Sequence, residues 1–185
     1  MMVTTHAAVG VTLASSLVVL APEFAVVGAL AGLAGGVLPD LDLLVGTHRR
    51  TLHFPALYWV GALPALAWAA LAPSTASVAA ACFLLAAAVH SLSDAVGAGE
   101  ELRPWERTTD RAVYLHPAGR WLRARRWVRY DGAPEDLALT VGFALPGIVL
   151  FDGAVRYLCL AGVALAAVYA LFRKRVPDLI EGTVR

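Results

Sequence analysis

Charge is scarce in this chain: 16% of its 185 residues are Asp, Glu, Lys or Arg, while 59% are hydrophobic. Soluble domains carry about 25% charged residues, so the composition excludes an ordinary water-soluble fold. It points to an integral membrane protein built as one membrane-embedded domain over 1–185. The formal net charge of +1 leaves no excess for a polyanion, and nucleic acid is not expected as a partner. Cysteine is sparse too. Cys82 and Cys159 lie in apolar runs with no second Cys or His beside them, which excludes a thiolate metal site and leaves both as packing residues. No Lys or Arg precedes the first apolar run between Met1 and Gly10, so the N-terminus is expected to be retained rather than cleaved as a signal peptide.

Long unbroken hydrophobic runs are also missing. Six apolar runs can be read: Ala7 to Leu20, Phe24 to Leu38, Phe54 to Leu71, Thr75 to Val89, Leu137 to Phe151 and Ala154 to Phe172. Several fall short of the roughly 20 residues a helix needs to cross a bilayer core of about 30 Å. Such runs borrow flanking residues, tilt, re-enter or sit inside the protein. Pro22-Glu23, Pro73-Ser74 and Asp152-Gly153 separate neighbouring runs as tight helical hairpins. Gly28, Gly32, Gly35 and Gly36 in the second run let helix backbones approach closely and predict that it packs at the bundle centre. The expected fold is all-α: a polytopic membrane helical bundle with about six apolar helices.

Basic residues are unevenly spread. Arg49 and Arg50 follow the second run; Arg103, Arg107, Arg111, Arg120, Arg123, Arg125, Arg126 and Arg129 follow the fourth; Arg173, Lys174, Arg175 and Arg185 follow the sixth. Only Arg156 falls near the other side. If every run crosses, the positive-inside rule puts all three basic segments and both termini in the cytoplasm of a multi-pass cell (inner) membrane protein. The polar stretch from Ser91 to Asp136 is then one long Arg-rich cytoplasmic loop, interfacial in character because Trp105, Tyr114, Trp121, Trp127 and Tyr130 stand among the arginines. Within it, Arg120 to Tyr130 reads equally as an amphipathic helix on anionic membrane lipid or as a solvated loop.

Against this background the metal-type ligands stand out: His6; Asp40 and Asp42; His48 and His53; His90 and Asp94. Neutral imidazole and carboxylate are the natural donors for Zn²⁺ and related divalent ions. His90 and Asp94, four apart, share a helix face one turn separated, although the same pair also suits a local hydrogen bond at a helix end. Asp40 and Asp42 beside Pro39 also suit a turn or cap. His48 and His53, five apart, converge only if the chain turns before Phe54. Taken together, all seven fall at the ends of runs on the side assigned to the cytoplasm. Several carboxylates buried near lipid need a cation, and a divalent metal meets that need. His116 lies within the Arg-rich loop and is assigned a surface role.

The order Thr5-His6, Leu38-Pro39-Asp40-Leu41-Asp42, His48-Arg49, His53 and His90 to Asp94 resembles the YdjM-like family of inner-membrane metal-dependent hydrolases. That family is related to the zinc-dependent phospholipase C and P1 nuclease group. The resemblance implies ligand roles for His6, Asp40 or Asp42, His53, His90 and Asp94, with His48 and Arg49 forming an HR element. It also implies hydrolysis of a phosphoester, on a phospholipid or lipid-linked substrate, by metal-activated water. Asp40 or Asp42, whichever is not a ligand, would be the general base, and Arg49 or Arg50 would stabilise charge developing on phosphate. Arg50, Leu52 and Phe54 stand where the family carries Gly and small hydroxyl residues, which favours the alternative of a non-catalytic metal-stabilised membrane scaffold or regulatory binding protein. A transporter fits less well, because the ionisable residues cluster at one surface.

Overall fold

The computed structural model describes residues 1–183, so Arg185 lies outside the described residues. The chain is mostly helical. An N-terminal helix α1 (Val3–Ala14) continues as α2 (Leu17–Leu20), followed by α3 (Pro22–Val37), α4 (Leu57–Leu71), α5 (Thr75–Ser93), α6 (Pro134–Leu150), α7 (Gly153–Phe172) and a short α8 (Val176–Thr183). Four stretches are long and apolar enough to cross a membrane: Val3–Leu20, Pro22–Leu43, Thr75–Val96 and Gly153–Glu181. Leu57–Leu71 is apolar but shorter. Four spans among the described residues thus meet that test, where about six apolar helices were expected.

The breaks fall where the turn residues stand. Pro22 opens α3 at its first position, where its missing N–H costs nothing. Ser74 caps α5 reciprocally with Ser77, each side-chain oxygen accepting from the other's backbone N–H at 3.1 and 2.9 Å. Between α1 and α2 the Ser15 hydroxyl donates back to the Thr12 carbonyl at 2.7 Å, the local competition with the helix ladder that bends helices.

Helix α3 packs against α1 on one side and α5 on the other. Gly32 and Gly36 meet the α1 backbone at Gly10 and His6, and Gly35 meets the Phe83 carbonyl of α5. An added Cβ at any of the three would collide with main chain. Backbone contact without side-chain spacers is how helices associate where lipid removes the hydrophobic drive between them. Beneath the glycines lies a core of mostly small residues, among them Val11, Ala14, Ala25, Ala29, Ala144, Val155 and Cys159. The outer faces remain apolar, with Val19, Leu71, Val149, Tyr157 and Leu171 all well exposed, as suits helices bathed in hydrocarbon.

The Arg-rich segment departs from the all-α expectation. Instead of an amphipathic helix over Arg120 to Tyr130, strands β1 (Arg111–Leu115) and β2 (Arg120–Arg123) form an antiparallel hairpin. Its turn ends at Gly119, whose φ of 61° suits glycine. Tyr114 pairs with Trp121 across the ladder, their rings 5.5 Å apart edge to face, a contact a helix would not bring about. Backbone bonds from Trp127 to the Val96 carbonyl and from Tyr114 to the Arg49 carbonyl, both 2.9 Å, tie the segment to the end of the bundle that carries α5's C-terminus.

Replacing Gly35 with Val should lower the thermal unfolding midpoint in detergent through an overpacking cost of about 1–3 kcal/mol or more. Gly162→Ala meets open space and should be neutral or stabilise α7 by about 0.5–1 kcal/mol. Equal midpoints for the two variants would contradict the close α3–α5 contact.

Candidate metal centre

The local chain path explains why distant ligands meet. Past α3, a 3₁₀ turn over Leu38–Leu43 brings Asp40 and Asp42 inward from the helix end. Arg49 then adopts a left-handed backbone with φ 59°, reversing the chain so that His48 and His53 face the same carboxylate. Such a conformation is uncommon outside glycine, and here the Arg49 carbonyl is held by the Tyr114 N–H. Helix α5 delivers His90 one turn before Asp94.

Two imidazoles are oriented in the same way. His53 Nδ1–H donates to Asp42 Oδ2 at 2.8 Å, and His90 Nδ1–H donates to the Gly36 carbonyl at 2.6 Å. Each ring is thereby fixed with Nε2 pointing inward, and neither Nε2 has an aligned hydrogen-bond partner although both rings are fully buried. The inward atoms face two carboxylates: His53 Nε2 lies 3.2 Å from Asp94 Oδ2 and 3.6 Å from Asp40 Oδ1, and His90 Nε2 lies 3.4 Å from Asp40 Oδ1 and 3.7 Å from Asp94 Oδ2. A tetrahedral Zn²⁺ site with bonds of about 2.0–2.2 Å has ligand-to-ligand edges of about 3.3–3.6 Å. The four imidazole-to-carboxylate separations, 3.2–3.7 Å, lie near that range, and all four donors lie within 4.8 Å of one another.

Around them sits an orienting layer. Asp42 spans His53, His48 (Nδ1 to Oδ1, 2.8 Å) and the Leu52 N–H (Oδ2, 3.3 Å), the carboxylate–histidine arrangement that fixes metal-binding rings. His6 stacks on His90 with centroids 3.6 Å apart and contacts Asp94 Oδ1 through Nε2 at 3.1 Å, where the Met1 amine also donates. Burial pushes the His53 imidazole towards the neutral form, but the adjacent carboxylates of Asp40, Asp42 and Asp94 outweigh it and raise its pKa to about 10. The carboxylates thus demand positive charge at this point, whether proton or metal.

Of the seven sequence-derived ligands, Asp40, His53, His90 and Asp94 form one group and Asp42, His48 and His53 a second. His53 belongs to both through its two ring nitrogens, and His6 joins by way of Asp94. Arg49 is buried, with Nη1 donating to the carbonyls of Ala98 (2.5 Å) and Ala112 (3.4 Å) and Nε 3.8 Å from Asp94 Oδ2. Arg50 turns away, its guanidinium 4.5 Å over the Tyr114 ring. His116 stays apart from both groups, against Phe54 and Tyr114.

Two contributors were not foreseen. Asp136 accepts from the Met2 N–H at 2.8 Å, the Thr5 hydroxyl at 2.7 Å and the Gly132 N–H at 3.0 Å, pinning the first turn of α1 and hence His6. Its place just after Pro134 in a helix's first turn is a generic acidic position, and nothing local marks it. The Gly36 carbonyl that orients His90 is invisible to any motif. A cleft of about 530 Å³ opens beside the cluster, and Asp40, His48 and Arg49 line it. No family model matches this chain, no curated protein matches its sequence and no solved structure matches its fold.

Metal-stripped protein titrated calorimetrically with Zn²⁺ should bind stoichiometrically, and His90→Ala or Asp94→Asn should abolish that binding. Asp42→Ala should weaken it about 10–100-fold by freeing the His53 ring. Undiminished affinity in Asp42→Ala would remove Asp42 from the orienting role.

Proposed function

We propose that this protein is an integral-membrane metal-dependent hydrolase that cleaves a phosphoester of a lipid or lipid-linked substrate with metal-activated water. The observation that carries this reading is the pair of buried imidazoles, each anchored at Nδ1, whose unpartnered Nε2 atoms converge with Asp40 and Asp94 beside an open cleft. The motif order it shares with the YdjM-like family supports the same chemistry. A divalent ion of the zinc type, when bound, would supply Lewis acidity and lower the pKa of a water molecule towards neutral. His53, His90 and Asp94 would hold it.

Asp40 is assigned the proton-accepting role. It alone of the four-membered group is incompletely buried, with its side chain 10% exposed, and it lines the cleft. Asp42 is fully occupied by His48, His53 and Leu52, so the general-base role falls to Asp40 rather than to Asp42. Arg49 also lines the cleft, its buried Nε close to Asp94 but in no hydrogen bond, which suits it rather than Arg50 to balance charge on phosphate. We place the protein in the cell (inner) membrane, with about six apolar helices, the Arg-rich segment as a cytoplasmic loop and the site facing the cytoplasm; the clustering of Arg and Lys supports that orientation.

A second reading has its own observation in favour. Four donors within 4.8 Å of one another can fill a four-coordinate ion with no open position, as structural zinc sites do. The ion would then staple α3, α5 and the segment before α4 in a non-catalytic scaffold or regulatory binding protein.

Asp40→Asn separates the two. The hydrolase reading expects metal to be retained and turnover of a phosphodiester and phosphomonoester panel to fall about 10²–10⁴-fold. Turnover at background in the metal-loaded wild type would leave the scaffold.

A further inference from the structure

The cleft beside Asp40 extends well beyond the metal-type ligands. Its remaining walls are mostly apolar, supplied by Leu43, Leu165, Ala166, Tyr169, Val176 and Ile180, with Thr4, Glu100, Glu101, Asp131 and Arg173 set among them. At about 530 Å³ it falls in the range of small-molecule sites, about 300–1,000 Å³. Most charged groups along that wall are already paired, Glu101 with Thr109 and Arg126 and Glu100 with Arg111, while Arg173 Nη1 and Thr4 Oγ1 keep no hydrogen-bond partner. The Tyr169 hydroxyl donates to Asp131 Oδ2 at 2.5 Å, and Arg173 Nε donates to the same oxygen at 2.7 Å. What remains to meet an occupant is mostly hydrocarbon.

Two elements form this wall, and both bear on where the occupant comes from. Helix α7 belongs to a membrane-spanning stretch whose outer face is open, with Leu165 64% exposed and Val168 and Leu171 exposed beside it. Leu165 therefore borders both the cleft and the surrounding lipid. Helix α8 presents Val176 and Ile180, one turn apart, to the cleft. Its opposite side is clasped by Arg103, which reaches Asp178 Oδ1 at 2.9 Å and Glu181 Oε1 and Oε2 at 2.5 and 2.8 Å. One guanidinium thus pins an amphipathic helix as the outer wall.

Building on the hydrolase reading, we infer that this cleft holds the apolar chain of the lipid phosphoester whose headgroup reaches Asp40, the chain entering from the bilayer past α7. Continuity between the apolar walls and Asp40, His48 and Arg49 assigns the two ends of one amphiphile to the two ends of one cleft. Burial of hydrocarbon supplies the affinity, about fourfold per methylene.

The test uses full-length protein in mild detergent and an equimolar phosphatidic acid carrying a diazirine at the end of one acyl chain. After irradiation, label should concentrate on the peptides carrying Leu165 to Tyr169 and Val176 to Ile180. Leu165→Trp and Ile180→Trp, which displace about two methylenes' worth of chain, should each cut that label about tenfold. Leu160→Trp, exposed on α7 outside the cleft, should leave it unchanged. Label spread evenly over the Leu160 and Leu171 faces, or untouched by both cleft-filling variants, overturns the assignment. Labelling requires neither metal nor turnover, so intact cleft label with no hydrolysis supports the cleft and strikes only the hydrolase reading. Where hydrolysis is present, both variants should raise KM for long-chain phosphoesters and spare short, water-soluble ones; equal effects on the two overturn the cleft.

Discussion

Three carboxylates brought together at the end of an apolar bundle set the terms for the rest of this structure. Asp42 and Asp94 are fully buried and Asp40 nearly so, and ionised groups in such surroundings survive only beside compensating charge or donors. Every feature of that end answers the demand. His53 stands among all three, His48 and the Leu52 amide complete Asp42, and His6, the Met1 amine and Arg49 gather round Asp94. Two imidazole nitrogens are left facing inward without a partner, an arrangement that costs stability unless a cation or proton occupies the space between them and the carboxylates.

The packing of the helices follows from the same requirement. For the Gly36 carbonyl to reach His90 and for His6 to stack on that ring, α1, α3 and α5 must approach to backbone contact, and the glycines of α3 make this possible. The Arg-rich segment then closes the end of the bundle by accepting the Arg49 guanidinium at the Ala98 and Ala112 carbonyls and pairing the Tyr114 amide of its hairpin with the Arg49 carbonyl. The left-handed backbone at Arg49 is over-determined by these bonds, as sparsely populated conformations must be. Scaffold and site are therefore one construction.

Much of this was legible beforehand because it depends on short-range patterns. Apolar run lengths located the helices within a few residues, Pro22, Ser74 and Gly153 marked real boundaries, and the glycines of the second run announced a central helix. The four-residue spacing of His90 and Asp94 was readable as one helix face. The Arg120 to Tyr130 region resisted because its charge and aromatic content suited an interfacial helix or a solvated loop equally and no strand was expected; the Tyr114–Trp121 pairing that decided for the hairpin is a contact between segments. Asp136 escaped notice for the same reason, since its partners Met2 and Thr5 lie at the far end of the chain.

Sequence alone determined that this is an apolar, mostly helical chain with metal-type side chains at the ends of its runs, because hydrophobicity and helical period are properties of neighbouring residues. Only the tertiary structure decided how those side chains divide: which imidazole nitrogens point inward, that Asp42 orients a ring while Asp40 meets the cleft, and that Arg50 lies on Tyr114 instead of in the site. The physical reason is that a donor's role depends on which of its atoms are already bonded. In this fold those bonds come from residues tens of positions away, such as the Gly36 carbonyl on His90.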